Sequence, residues 1–276
     1  MKEKVVKYTQ RTFFISILIV LLSVGIIKYV VLPDPVLWSY FERFFFKPTQ
    51  KVIQEIREVA HLEPKKRSPV IEHIIYNVQF DNPDAIESLD EKVFRGETEY
   101  EIFVDPVQGP VLRAKSDKTS SLLYEKIEVD MKKSPTLSWE WKAENFPANK
   151  RNEVLGAQED NDYVARVYAM FKGNTILSSD VIQYVWDDHF VEGETGKSGF
   201  SNRVKIMVVR HGIVTDNDGW IKEERDIAED YRQLFGEEPT KPLSAIGIMS
   251  DSDNTKTSSL AYLKNIQVSL RDQKNS

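Results

Sequence analysis

Trp186-Asp187-Asp188-His189 sets two carboxylates beside an imidazole, the groups that move protons in hydrolytic catalysis. Adjacent residues on an extended chain point apart, so Asp187 and Asp188 do not flank one bond as paired glycosidase carboxylates must. Asp187 and His189 are therefore the candidate acid–base residues, with a solvated loop as the plain alternative. Asp251, Asp253 and Asn254 bring three hard oxygen side chains within four residues, a donor set suited to calcium. Asx residues also build turns, and Asp216-Asn217-Asp218-Gly219 is read as one, since Val214 stands where an EF-hand loop needs its first carboxylate. His61, His73 and His211 have no ligand-type neighbours at metal spacing and the chain has no Cys, so no zinc is expected. Apart from structural calcium no cofactor is expected.

A second group of residues suits ligand binding. Trp139 and Trp141 lie two apart on a strand and share a face with Leu137. They are either core or an exposed platform on which sugar rings stack. Arg166 and Tyr168 share a face with Val164 and Met170. A guanidinium among apolar neighbours needs a carboxylate, from Asp162 or elsewhere, unless it contacts an anion or a sugar hydroxyl. Trp139, Trp141, Arg166, Tyr168 and Trp186 are the candidate ligand-binding set. Two other motifs fail: Gly196-Lys197-Ser198 has Val191 at the upstream Gly position of a phosphate loop, and Phe200 stands where Gly-x-Ser-x-Gly needs its last Gly.

The elements that position these residues are mostly strands. Eleven short candidates, 73–80, 100–104, 111–115, 121–129, 136–142, 162–172, 180–186, 203–209, 220–225, 243–249 and 261–270, are separated by turn residues. That pattern predicts an all-β sandwich or barrel. Strand 162–172 is apolar on both faces, which predicts a central position. Asp226–Phe235 reads as the one helix of this region, with Asp226 and Glu229 as a capping pair and Gly236 as its stop.

Upstream, residues 13–32 form a 20-residue apolar run with Lys28 as its only charge, long enough as a helix to cross a bilayer core of about 30 Å. Lys2, Lys4, Lys7 and Arg11 precede it, which keeps residues 1–12 in the cytoplasm and sends the body to the periplasm or outside. A cleaved signal peptide ending near Ser23-Val24-Gly25 is the rival reading, and a buried core helix the third. Residues 33–69 form a neck: an aromatic cluster from Leu37 to Phe46, an amphipathic helix over 49–60 and a polar linker. The sandwich spans 70–271 and a polar tail 272–276. The formal charge is -6, but the first 33 residues carry +4, leaving -10 on the exported part. An acidic body lacks the field that draws nucleic acid, so no nucleic-acid partner is expected.

Ser121-Leu122-Leu123, Leu137 to Lys142, Asp162 to Tyr168, Tyr184-Val185-Trp186, Trp220 with Glu224-Arg225-Asp226, Asp230-Tyr231 with Phe235-Gly236, and Gly247 to Thr255 occur in this order. The set resembles the bacterial family catalogued as domain of unknown function 3047, over roughly residues 70–270. The stretch from Asn152 to Asn161 departs from the pattern. The resemblance implies an exported bacterial protein with a galactose-binding-like jelly-roll sandwich, and no established activity. The expected function is a membrane-anchored module that binds a glycan or other envelope ligand without catalysis. An envelope polysaccharide hydrolase or lyase is one alternative, and a structural subunit contacting an envelope protein through the neck is another.

Overall fold

The computed structural model describes residues 72–82, 84–148, 153–173 and 178–271. The apolar run 13–32, the neck and the tail lie outside these. The chain divides after Ser68, and the described residues belong to the second unit, Pro69–Ser276. Among the described residues no helix is long and apolar enough to cross a membrane.

The second unit is an all-β sandwich of two sheets. The first holds β1 (Glu72–Val78), β3 (Glu99–Asp105), β4 (Gly109–Asp117), β6 (Pro135–Asn145), β11 (Ile221–Asp226) and β13 (Ser258–Arg271), in the order β11-β6-β13-β4-β3 with β1 also paired to β13. The second holds β2 (Asp90–Arg95), β5 (Ser120–Val129), β7 (Ala165–Phe171), β8 (Asp180–Asp187), β9 (Thr195–Ser198), β10 (Ser201–His211) and β12 (Leu243–Asp251), in the order β2-β5-β12-β7-β8-β10-β9. Pairing is antiparallel except between β8 and β10. β7 lies between β12 and β8, as its two-sided apolar pattern requires. It starts later than the sequence pattern indicates, because Asp162 to Val164 form part of the loop leading into it.

Alternation sends Leu137, Trp139 and Trp141 of β6 and Leu112 and Ala114 of β4 inward, where they meet Ala165, Val167 and Phe171 of β7 and Ile182, Tyr184 and Trp186 of β8. β13 turns Ala261 and Leu263 to this core, then Ile266 and Val268. The change of parity takes place at Asn265, which has φ 52° and sits in a register shift between Lys264 and Gln267. Asn tolerates that left-handed conformation, and the extra residue lets one long strand keep an apolar face inward at both ends.

β2 and β9, absent from the eleven expected strands, close the two edges of the seven-stranded sheet. All of β2 is exposed, so no apolar period marks it. The short α1 (Asp84–Glu87) precedes it. α2 (Ile227–Phe235) is the expected helix: the Asp226 carboxylate accepts from the backbone N–H groups of Ala228 and Glu229, and Gly236 at φ 74° donates to the Arg232 carbonyl. Ile227, Ala228 and Tyr231 anchor it on the core. Asp226→Ala leaves those two donors without their acceptor and is expected to cost about 1 kcal/mol in urea-unfolding stability.

Candidate functional site

The outer face of the seven-stranded sheet gathers the side chains that could meet a ligand. Register places Tyr124 of β5 opposite Gly247 of β12, Gly247 opposite Tyr168 of β7, and Tyr168 opposite Gln183 of β8. The two tyrosines are thus two strand spacings apart, about 10 Å between backbones. Around them Leu122, Tyr168 and Met249 form an apolar cluster distinct from the core, with half-buried Tyr124, Met170 and Val181 packed on it. The Tyr168 hydroxyl donates to Met249 Sδ at 3.1 Å. Gly247 allows this packing: a Cβ there would lie 2.8 Å from Leu122 Cδ1 and 2.9 Å from Met170 Cε. The Lys126 ammonium sits 5.6 Å from the centre of the Tyr124 ring and pairs with Asp90 at 2.7 Å.

At one end of this face a buried polar network joins two loops. Arg166 is 1% exposed. Its guanidinium donates through Nε to Asp251 Oδ1 at 3.1 Å, through Nη1 to Gln183 Oε1 at 3.3 Å, and through Nη2 to both Asp251 Oδ2 and the Asn161 carbonyl. The Tyr163 ring lies over it at 4.6 Å. Asp251 Oδ1 also accepts the Tyr163 N–H at 3.0 Å. Asp162 is fully buried and accepts the backbone N–H groups of Asn254 at 3.2 Å and Thr255 at 2.6 Å. Burial pushes the Asp251 carboxyl up to about 7; Arg166 pulls it down and Asp162 pushes it further up. Burial also raises Asp253, and the nearby Asp162 carboxylate adds to the rise.

The candidate residues divide as follows. Trp139, Trp141 and Trp186 are fully buried in the core. Trp139 packs edge-on to Trp141 at 5.2 Å, while Tyr184 meets Trp139 and Trp186 meets Trp141, each at 5.4 Å. These rings join the two sheets and present no platform to a sugar, which corrects that expectation: their shared face is the inner one. Arg166 and Tyr168 lie on the outer face but are enclosed, and the carboxylate Arg166 requires is Asp251. Asp187 is buried, its Oδ2 accepting the Phe190 N–H at 3.1 Å, whereas His189 is exposed and packs edge-on to Phe190 at 4.9 Å. Asp187 thus ends β8 with its carboxylate buried, while His189 stands exposed two residues further on. Among the hard-oxygen residues, Asp251 and Asp253 converge with Asp162, one carboxylate oxygen of each lying within 4.8 Å of the others. Asn254 donates its side-chain amide to the Gln158 carbonyl and its backbone N–H to Asp162. Tyr124, Gln183 and Gly247 were not singled out in the sequence, although the alternation of β5 already placed Leu122, Tyr124 and Lys126 on one face.

The family model described as "Protein of unknown function (DUF3047)" matches residues 87–267. No curated protein matches the chain. Similar solved structures include the family 11 carbohydrate-binding module of cellulosomal cellulase Lic26A-Cel5E of Clostridium thermocellum, at 10% identity and TM-score 0.38 over 76% of this chain and 100% of that one. The CBM22-1 xylan-binding domain of Paenibacillus barcinonensis Xyn10C is 10% identical, with TM-score 0.33 over 75% of this chain and 100% of that one. The glycoside hydrolase domain of Endo-D from Streptococcus pneumoniae R6 is 12% identical, with TM-score 0.32 over 67% of this chain and 22% of that one.

Proposed function

We propose that this chain, which belongs to the DUF3047 family of proteins of unknown function, is a membrane-anchored exported jelly-roll module that binds a glycan of the cell envelope without catalysis. The observation that carries the reading is the row Tyr124–Gly247–Tyr168–Gln183 on the outer face of the seven-stranded sheet. A partly exposed aromatic ring flanked by apolar side chains is the chemistry on which the apolar C–H face of a sugar stacks. Tyr124, Met170 and Val181 are the accessible part of that surface and Tyr168 is its floor. The buried Asp187 supports the non-catalytic reading over a hydrolase.

Tyr124→Ala is expected to lower retention on a binding polysaccharide at least tenfold in affinity electrophoresis across a panel of envelope and plant glycans. Its melting temperature should stay near the parent value, because the ring is only half-buried. Unchanged retention of a Tyr124→Ala, Met170→Ala double variant on every polysaccharide that the parent binds would exclude this face. For the anchor, residues 13–32 behind a basic flank support export of the body. A reporter fused after Ser276 is expected to be active only when it functions outside the cytoplasm; activity confined to a cytoplasmic reporter would reverse that topology.

A further inference from the structure

We propose that Asp162, Asp251 and Asp253 form a site for a hard divalent cation, calcium, which ties the loop before β7 to the loop after β12. The three carboxylates come from chain segments nearly ninety residues apart, yet one oxygen of each lies within 4.8 Å of the others. Two of the three are buried, Asp162 fully and Asp251 at 2% exposure. One buried guanidinium, Arg166, faces them, and it is engaged with Asp251. The other cations are peripheral: Arg95 reaches Asp253 only at 4.0 Å, and the Lys256 ammonium is spent on the Asp253 carbonyl. Buried carboxylates in excess of their counter-charges are costly unless a cation or a proton joins them.

The observation that points to a ligand and not merely to repulsion is Asn161. It is 8% exposed, and its side-chain Oδ1 is enclosed without a hydrogen-bond donor. Asn161 precedes Asp162, and its carbonyl shares Arg166 Nη2 with Asp251 Oδ2, which places the residue at the cluster. An acceptor that is buried and unpaired is rare and calls for a partner. Acceptor capacity is also left on the carboxylates, each of which offers about four lone-pair positions. Asp162 uses one on each oxygen for Asn254 and Thr255, and Asp251 uses three, for Tyr163 and Arg166. The donor set is oxygen only, with no imidazole and no thiolate, which selects calcium or magnesium over zinc. Ligands spread over two loops and partly committed to hydrogen bonds cannot form a tight octahedron, and calcium accepts that irregularity where magnesium does not.

The test uses the full chain stripped with EGTA, and does not depend on glycan binding. Titration with calcium chloride is expected to raise the melting temperature saturably, by roughly 5 °C at a hundredfold excess over Kd. Terbium should give tyrosine-sensitised luminescence that calcium displaces. Asp253→Asn, at the one partly exposed carboxylate of the three, is expected to weaken calcium binding at least tenfold while melting close to the parent in EGTA. Absence of both responses in the folded chain at about 10 mM calcium, weaker than extracellular calcium modules bind, would overturn the site. So would a calcium response that Asp253→Asn leaves unchanged, or a magnesium response as strong as calcium's.

Discussion

Trp139→Ala is expected to destabilise the sandwich by about 3–5 kcal/mol, enough to unfold a large fraction of the chain near physiological temperature. Trp139 is fully buried and touches both sheets, packing on Trp141 within its own sheet and on Tyr184 across the core. Truncation leaves a cavity between two faces that their strand ladders hold apart, so collapse recovers little of the loss. Trp139→Phe is expected to cost less, because a ring still fills most of the space and the enclosed indole N–H of Trp139 meets no acceptor that would be orphaned. Urea unfolding of both variants checks this order. If Trp139→Ala melts with the parent and instead loses polysaccharide retention, the ring is a surface residue and the core assignment is wrong.

Arg166→Met is the second large effect, with an expected loss of about 3–5 kcal/mol measured in EGTA. The guanidinium is the one buried cation facing Asp251, and it also holds the Asn161 carbonyl and Gln183. Removing it leaves Asp251 enclosed beside Asp162 without its counter-charge, so the carboxyl either stays ionised at high cost or takes up a proton, and frees the loop that Asn161 belongs to. Adding Asp251→Leu to Arg166→Met is expected to restore part of the stability, since an apolar pair of similar volume avoids the buried charge. Full additivity of the two single losses would show that Arg166 and Asp251 act independently, contrary to their hydrogen bonds.

Several of these features were legible in the residues. Asp226 with Gly236 marked α2 to within one residue, because caps are local chemistry that tertiary packing does not need to supply. The apolar pattern on both sides of 162–172 placed that strand centrally and made Arg166 the residue in need of a carboxylate. The identity of that carboxylate was not legible: Asp251 lies 85 positions further on, and β7 and β12 become neighbours only through sheet order. Asp162 joined the acidic set for the same reason. β2 and β9 escaped notice because edge strands meet water and need no apolar period.

Strand content, the all-β class, the helix caps and the charge asymmetry between a basic N-terminus and an acidic body follow from the sequence, since alternation, capping and net charge are properties of neighbouring residues. Which face of each strand is inner was decided only by the tertiary structure. A period of two puts Trp139 and Trp141 on one side but does not name the side, and within β13 one extra residue at Asn265 switches which parity faces inward. That choice made the tryptophans core and left Tyr124 and Tyr168 on the outer face. It also brought Asp162 from the loop before β7 to Asp251 at the end of β12 and Asp253 just beyond it, because strand pairing and not sequence distance sets which ends meet.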